Sequence, residues 1–191
     1  MVESWHSRSA LLLMDLMPLT VPAFGGDEAL LRRLADAAGP ARAAGVGVVH
    51  VRVAFRAGYP ELASRNKVFA AATAALDFAE SNPATGVHPL LDLQPDDPVV
   101  TKRRVGAFSG SDLDVLLRAR GVHTLVLADV TTSGVVLSTL RQAADLDYGL
   151  VVLSDGCADP DEEVQRVLME KVFPAHADVV PIDEWTASLK G

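Results

Sequence analysis

The sequence is poor in three features that would each indicate a particular class of protein. It has one cysteine, Cys157, among 191 residues, which excludes an intramolecular disulfide and favours a reducing compartment. Acidic residues outnumber basic ones, 25 against 17, and the net charge is −8, whereas a nucleic-acid surface needs clustered Lys and Arg. No stretch approaches the roughly 18 apolar residues of a membrane span. These absences predict a protein that binds neither nucleic acid nor membrane.

The rest of the composition is typical of a globular protein. Hydrophobic residues make up 49% and charged residues 22% of the chain, and this length is sufficient to bury a core. The first ten residues include an acidic side chain and lack a long apolar core, so no secretory signal is expected there. We therefore predict one domain over residues 1–191 in a soluble, cytoplasmic protein whose partner is a small molecule.

Short apolar runs alternate with segments of helical periodicity along most of the chain. Strands are expected at residues 10–14, 46–53, 98–101, 124–127, 149–153 and 177–180. Helices are expected at residues 27–44, 68–79, 111–120, 134–147, 161–173 and 183–189. This alternation predicts an α/β fold with a mostly parallel six-stranded sheet that helices cover on both faces.

Residues 56–97 interrupt the regular alternation. They combine the alanine-rich helical segment with a loop rich in Pro, Asp and Gly. Long excursions of this kind often carry function. We predict that this segment forms a lid or a wall of a substrate site.

Three chemically suggestive features directly follow predicted strands. Asp15 follows the first strand, Lys102 follows the third, and the small-residue segment 128–139 (ADVTTSGVVLST) follows the fourth. Because the carboxyl ends of parallel strands form one edge of a sheet, these features should converge on one crevice. A strand that leads through a small-residue turn into a helix also leaves backbone N–H groups unpaired, as an oxyanion site requires.

Together these segments resemble the isochorismatase-like hydrolases, also called cysteine hydrolases. The matching pieces are LLLMDLMP around Asp15, VVTKRRVGAFSGSDLDVLL around Lys102, and GVHTLVLADVTTSGVVLSTLRQAADLDYGLVVLSDGCAD. The resemblance covers nearly the whole chain and implies a three-layer α/β/α sandwich. It also implies that Asp15 and Lys102 are catalytic and that the peptide bond between Val130 and Thr131 is cis. Relatives usually form dimers or tetramers, so a homodimer or homotetramer is expected.

One position departs from the family pattern. The family's turn typically reads GVATSGCVLST, with the cysteine as nucleophile, and this alignment puts Val135 at the cysteine position. The turn residues that the resemblance assigns to the oxyanion site are Val130, Thr131, Thr132, Ser133 and Gly134. Val135 has no lone pair, which closes the covalent acyl-enzyme route at that site. The hydroxyls of Thr132 and Ser133 are nearby, but each would need a base within about 3 Å. We interpret Cys157 as a packing residue.

The same family contains a precedent for a site without this cysteine. True isochorismatases have glycine at the nucleophile position and hydrolyse a vinyl ether. Their Asp protonates the substrate alkene carbon, and water attacks the resulting oxocarbenium ion. Such an acid needs a pKa that burial has raised, whereas pairing with Lys102 would lower the pKa of Asp15. The sequence leaves open which effect is larger.

Substrate contacts are predicted after the first two strands. Relatives place contacts where VRVAFRAGY stands here, and an arginine there would suit a carboxylate. The residues assigned to substrate binding are Phe24, Arg52, Phe55, Arg56 and Tyr59. For the last four, a solvent-facing loop is the alternative. The nicotinamidase zinc motif Asp-x-His is absent, because the matching stretch reads HVRVAF, and the five histidines show no ligand spacing. We therefore expect no metal and no other cofactor.

Three functional hypotheses follow. In the first, the chain is a hydrolase that uses Asp15 and Lys102 on a small polar substrate without a cysteine nucleophile; amidase activity is not expected with Val135 at the nucleophile position. In the second, it is a non-catalytic ligand-binding or assembly member that retained the pocket. In the third, it is a structural subunit of a homo-oligomer whose pocket Val135 blocks. An Asp15–Lys102 contact lining an open cavity would discriminate between the first two.

Overall fold

The computed structural model describes residues 8–190, and its centre is a six-stranded sheet in which all strands are parallel. The strands are β1 (Ser9–Met14), β2 (Gly47–Val53), β3 (Val99–Lys102), β4 (Thr124–Val130), β5 (Gly149–Ala158) and β6 (Asp178–Val180). Their order across the sheet is β3-β2-β1-β4-β5-β6. The direction of winding therefore reverses between β1 and β4, and ligands bind at such switch points in open parallel sheets.

Helices cover both faces of this sheet. They are α1 (Glu28–Ala43), α2 (Lys67–Ala75), α3 (Leu113–Ala119), α4 (Leu137–Asp145), α5 (Glu162–Val167) and α6 (Ile182–Ser188). Alternate side chains of β1 enter two separate cores. Leu11 and Leu13 pack with α1 and α6, whereas Leu12 and Met14 pack with α3 and α4. The predicted α/β/α layering is confirmed, and the sheet is wholly parallel.

The residues that the sequence indicates as the start, the buried face and the end of α1 have these roles in the structure. The Asp27 side chain accepts a hydrogen bond from the Leu30 N–H at 2.7 Å, which caps the helix. The apolar face of the helix is buried at Leu30, Leu31, Leu34, Ala37 and Ala38. Gly45 follows the helix with a φ of +78°, a left-handed conformation that glycine adopts without a Cβ clash.

Several boundaries differ from the sequence-based prediction. Strand β4 continues to Val130 and β5 to Ala158, beyond the predicted ends at residues 127 and 153. The apolar run stops at Asp129, yet the structure buries this residue completely. The predicted helix at 134–147 is preceded by a π-helical turn at Thr132–Val136. Periodicity could not indicate these features, because strand pairing with β1 and β5 extends β4 past its apolar run.

Three α-helices are shorter than the sequence-based prediction. Helix α2 ends at Ala75 because Leu76 is extended. Helix α3 begins at Leu113, whose N–H donates to the hydroxyl of Ser111 at 3.2 Å. The predicted helix at 161–173 is α-helical only over α5 and continues as a π-helical turn at Leu168–Val172.

Residues 1–7, which include His6, and residue 191 lie outside the described part of the chain. The two ends of the domain predicted over residues 1–191 therefore lie outside it as well. Within residues 8–190, no helix combines the length and the apolar character needed to cross a bilayer.

Candidate active site

A buried ion pair joins the carboxyl ends of β1 and β3. Lys102 Nζ lies 2.8 Å from Asp15 Oδ2, and the two side chains are 1% and 10% exposed. The same Nζ donates to the main-chain oxygen of Arg104 at 3.1 Å and to that of Val105 at 2.7 Å. An ammonium group has three donors, so all three are occupied. Lys102 therefore fixes Asp15 Oδ2 in place and keeps no donor for a ligand.

Hydrogen bonds also fix the backbone of Asp15. Its φ is +49°, its N–H donates to the Val51 oxygen at 2.8 Å, and its carbonyl accepts from the Met17 N–H at 3.0 Å and from the Thr20 hydroxyl. Asp15 Oδ1 is buried and has no hydrogen-bond partner among residues 8–190. Oδ1 is therefore the carboxyl atom without a hydrogen-bond partner in the protein, although it has no exposed surface.

Burial raises the pKa of the Asp15 carboxyl, and the charge and hydrogen bond of Lys102 lower it. Burial is the larger effect, and the resulting pKa lies above the ordinary value for Asp. This answers the question that the sequence left open. A carboxyl whose pKa is raised retains its proton closer to neutral pH, as a general acid must.

The ion pair lines a cavity of about 130 Å³ at the switch point of the sheet. The wall opposite the strand ends comes from the long segment between β2 and β3, through Val68, Phe69, Ala72 and Phe78. Of the two predicted alternatives, a lid or a wall of a substrate site, the segment 56–97 forms a wall of this cavity; its contact with a substrate stays a prediction. Val68 is 59% exposed, so this part of the wall lies at the solvent boundary.

The turn after β4 supplies another part of the wall. The peptide bond between Val130 and Thr131 is cis, as the family resemblance implied. Val130, Thr131, Gly134 and Val135 line the cavity. A Cβ on Gly134 would lie 2.5 Å from Thr131 Oγ1, so only glycine fits there without a shift of Thr131.

Two turn residues from the predicted oxyanion site do not line the cavity. Ser133 is exposed, and its N–H donates to Asp159 Oδ2 at 2.8 Å. Thr132 is fully buried, and its hydroxyl has no hydrogen-bond partner among the described residues. The Gly134 N–H donates to the Thr131 oxygen at 3.1 Å. Two N–H groups of the turn are thus engaged by acceptors of the protein itself.

No thiol lines the cavity among residues 8–190. Val135 is 2% exposed and forms part of the wall. Cys157 lies in the core beside β4, where its Sγ is 3.7 Å from the Leu127 oxygen. Burial raises the pKa of its thiol, and nearby Asp129 raises it further. Cys157 is therefore a neutral packing residue, as predicted.

Of the five predicted substrate contacts, Phe24 alone lines the cavity. Arg52 lies elsewhere: its Nε donates to the Thr101 hydroxyl at 3.0 Å and its Nη1 to the Thr85 oxygen at 3.3 Å. Consecutive strand residues point to opposite faces. It is therefore the next residue, Val53, that lines the cavity.

The other three predicted contacts lie outside the cavity lining. Phe55 is fully buried and packs edge to face against Phe69 and Tyr59. Tyr59 donates its hydroxyl to Asp77 at 2.8 Å. Arg56 is exposed and pairs with Glu61 at 2.6 Å. These residues support the wall from behind or face solvent, because the chain turns away from the strand ends after β2.

Sequence reasoning missed Asp129. This residue has no exposed surface, and neither carboxyl oxygen has a hydrogen-bond partner among the described residues. Burial, and next the charge of Asp15, raise the pKa of Asp129 well above its ordinary value, against a smaller opposing effect of Lys102. The available signal was an acidic residue directly before the turn, within an otherwise apolar run.

No three His, Cys, Asp or Glu side chains within residues 8–190 are grouped as a metal site would require. The absence of a metal or other cofactor remains a prediction.

Comparison with known proteins identifies the family. Residues 9–184 match the Isochorismatase domain. The chain is 32% identical over 189 residues to the isochorismatase family protein YecD of Escherichia coli O157:H7, covering 96% of this chain and 97% of that protein. It is 26% identical over 181 residues to the maleamate amidohydrolase of Pseudomonas putida, covering 91% of this chain and 83% of that enzyme.

The structural comparison agrees over nearly the whole length of the chain. An isochorismatase family protein from Burkholderia thailandensis superposes with a TM-score of 0.84 at 27% identity, covering 97% of both chains. A family protein from Desulfovibrio vulgaris also has a TM-score of 0.84 and 27% identity, covering 97% of this chain and all of that one. On sequence and on structure, the chain belongs to the isochorismatase family.

Proposed function

We propose that this chain is a hydrolase that works by general-acid catalysis through Asp15, without a covalent intermediate at residue 135. The proposal depends on one observation: Asp15 lines the cavity with Oδ2 fixed by Lys102 and with Oδ1 unpartnered. The raised pKa of Asp15 supports the role of proton donor. The amidohydrolase relative supports hydrolysis as the general class of reaction.

The reaction that fits a lone acid is hydrolysis of a vinyl ether. Asp15 gives its proton to the alkene carbon, and an oxocarbenium ion forms. A water oxygen then bonds to the cationic carbon, and the proton that this water loses returns to the Asp15 carboxylate. The resulting hemiketal releases an alcohol and leaves a carbonyl compound. This route consumes one water molecule and requires no nucleophile from the protein.

The surroundings of the site favour this route over acyl transfer. Val135 has no nucleophilic atom, and Cys157 does not reach the cavity. The N–H of Ser133 is occupied by the Asp159 carboxylate, so this donor is not available to a tetrahedral oxyanion. A vinyl-ether reaction has no such oxyanion to stabilise and does not require that donor.

The lining of the cavity bears on the substrate. Besides Asp15 and Lys102, the polar side chains that line it are those of Thr20 and Thr131. Thr20 uses its hydroxyl on the Asp15 carbonyl. No arginine lines the cavity, so a bidentate partner for a carboxylate is absent from the described lining. We therefore propose a small substrate with a mostly apolar body, rather than the small polar one expected from the sequence.

Ligand binding without chemistry is the second candidate. It is favoured by the full occupation of the Lys102 donors and of the Ser133 N–H, which leaves few free polar groups at the site. The third hypothesis required Val135 to block the pocket. That expectation is not supported, because Val135 forms a wall of a cavity that is present.

The test is turnover of a panel of small vinyl ethers, amides and carbamoyl compounds by the wild type and by Asp15→Asn. We expect the wild type to hydrolyse vinyl ethers and Asp15→Asn to lose about 100- to 10,000-fold in rate, as for removal of a general acid. Asp96→Asn, at an exposed position, is the matched control and should behave as wild type. Unchanged turnover in a folded Asp15→Asn variant would refute the acid role. Saturable binding without turnover would favour the second candidate.

A further inference from the structure

Asp129 lies in β4 at the switch point of the sheet, directly before Val130, which lines the cavity. In the strand register it pairs with Met14 of β1 on one side and with Cys157 of β5 on the other. Val126, Ala128 and Val130 of β4 face the core under α1. Alternation therefore turns Asp129 toward the opposite face, the face that carries Met14 and Val135.

The surroundings of Asp129 contain few charges. Asp15 at the end of β1 and Lys102 at the end of β3 act on it electrostatically. From β5 it faces the thiol of Cys157, which burial keeps neutral. The turn Thr132–Val136, which packs against β4, has the sequence TSGVV and contributes no titratable group. Two carboxyls and one ammonium therefore share this buried region.

Lys102 cannot neutralise both carboxyls. Its three donors are taken by Asp15 Oδ2 and by the main-chain oxygens of Arg104 and Val105. Neither oxygen of Asp129 has a hydrogen-bond partner of regular geometry among the described residues, and the Val130 N–H is the last of the four influences on its pKa. The residue has no exposed surface. Burying a carboxylate in this way is far more costly than burying a neutral carboxylic acid.

We propose that Asp129 is a third member of the Asp15–Lys102 site, a positioning residue that holds a proton as a neutral carboxylic acid at neutral pH. The three groups then titrate as one unit, which retains one proton more than the ion pair alone would. Loss of that proton at higher pH places a second negative charge beside Asp15 and Lys102 and disturbs their pairing. The effect on turnover rests on the proposed function of Asp15, whereas the protonation of Asp129 does not.

The first experiment needs no substrate. The protein is labelled with [4-¹³C]aspartate, and the carboxyl resonances are followed by NMR across the pH range in which the protein stays folded. We expect the carboxyl resonance of Asp129 to have the chemical shift of a protonated acid at pH 7. That resonance should be lost in Asp129→Asn, kept in the control Asp96→Asn, and retained in Asp15→Asn with its titration moved to lower pH.

Two results would overturn the proposal. One is a wild-type spectrum in which every aspartate is ionised at pH 7, which needs no variant to interpret. The other is an Asp129→Asn spectrum that retains every protonated resonance of the wild type, because Asp129 would then carry no proton. If Asp129→Asn does not fold, the wild-type titration and the Asp15→Asn spectrum still decide between these outcomes.

A second experiment tests the effect on the reaction. With any substrate that the wild type turns over, kcat/KM should fall at alkaline pH as both Asp15 and Asp129 lose their protons. In Asp129→Asn the fall should be less steep, because only the loss of the Asp15 proton remains. A purely structural role would lower the rate at all pH values alike and would contradict the proposal. If no substrate is turned over, the proposed function fails while the NMR result stands on its own.

Discussion

The carboxylate of Asp159 accepts a hydrogen bond from the backbone N–H of Ser133 at 2.8 Å. The two residues are 26 positions apart and belong to the end of β5 and the turn after β4. An acidic side chain thus occupies a donor at the start of a helical segment, where helix dipoles favour negative charge. The Ser133 N–H is thus bonded within the protein, and Ser133 does not line the cavity beside Asp15.

Residue 135 should be reachable by small reagents from the cavity. Val135→Cys is expected to react with iodoacetamide at least tenfold faster than Cys157 in the wild type, because residue 135 lines the cavity and Cys157 is buried in the core. Mass spectrometry of the alkylated peptides measures the rates. The matched control is Val136→Cys, at a fully buried position outside the cavity lining. Equal labelling at 135 and 136 would contradict the assignment of the cavity wall.

The buried ion pair should be strongly coupled. Lys102→Met leaves Asp15 buried without its partner, and removal of one member of a buried pair costs about 3–5 kcal/mol. Part of this cost is avoided if Asp15 takes up a proton, so the loss of stability should be greater at pH 8 than at pH 5. Urea unfolding at the two pH values measures the effect.

A double variant tests the same coupling. Lys102→Met with Asp15→Asn removes both charges and should recover part of the lost stability. The exposed pair Arg166–Glu170 provides a comparison, since such surface pairs contribute about 0–1 kcal/mol. Additive effects of the two substitutions would show that the pair is not coupled.

His50 should make the stability of the fold dependent on pH. Burial lowers the pKa of His50, and the neighbouring Asp97, 3.6 Å away, raises it less; Arg42 lowers it further. The folded state thus binds the proton less readily than the unfolded state, whose pKa is about 6.5. The stabilisation is present above that value and is lost as the pH falls below it.

The measurement is the free energy of unfolding between pH 5 and pH 8. Relative to His50→Gln, the wild type should lose free energy of unfolding as the pH falls below 6.5. The comparison with the variant isolates His50, because the raised pKa of Asp129 acts on stability in the opposite direction. His123, which is exposed, is the control position, and His123→Gln should leave the curve as it is in the wild type. An identical slope in both variants would exclude His50 as its source.

Gly134 should be intolerant of any side chain. A Cβ at this position would lie 2.5 Å from Thr131 Oγ1, and Gly134→Ala should cost about 1–3 kcal/mol through overpacking. Thr131→Ala removes the obstructing hydroxyl and should rescue the alanine variant. Gly39→Ala, in α1 with no atom beyond its chain neighbours within 4 Å of the added Cβ, is the comparison and should cost less than Gly134→Ala. No gain in stability is expected from it, because Pro40 follows and disfavours a helical residue that carries a Cβ. Thermal unfolding of Gly134→Ala, Thr131→Ala, the double variant and Gly39→Ala measures these differences in stability. A double variant no more stable than Gly134→Ala would contradict the clash with Thr131.

Much of the fold and the centre of the site were predictable from the sequence. Apolar runs and helix caps located the strands and helices, and the rule that ligands bind at strand ends brought Asp15 and Lys102 together. Their 2.8 Å contact was thus expected before the structure. The cavity wall from residues 56–97 was also expected, because a long segment between two strands of a parallel sheet must cross its edge.

The remaining features depend on tertiary contacts that leave no local pattern. Asp129 ended an apolar run, and only pairing with strands on both sides shows that it is buried. The Ser133 N–H donates to the carboxylate of Asp159, which is 26 positions later in the chain. The misassigned Arg52 differs from the cavity residue Val53 by one position, and one position in a strand decides the face.

The cavity wall formed by Val68, Phe69, Ala72 and Phe78 comes from a segment that contributes no strand to the sheet. The acid and the ammonium group, in contrast, are anchored at the ends of β1 and β3. The cavity wall and the proposed proton donor are therefore encoded in different stretches of the gene. Under the proposed function, exchanging residues 56–97 between homologues should change which substrates are accepted while Asp15 and Lys102 keep their positions.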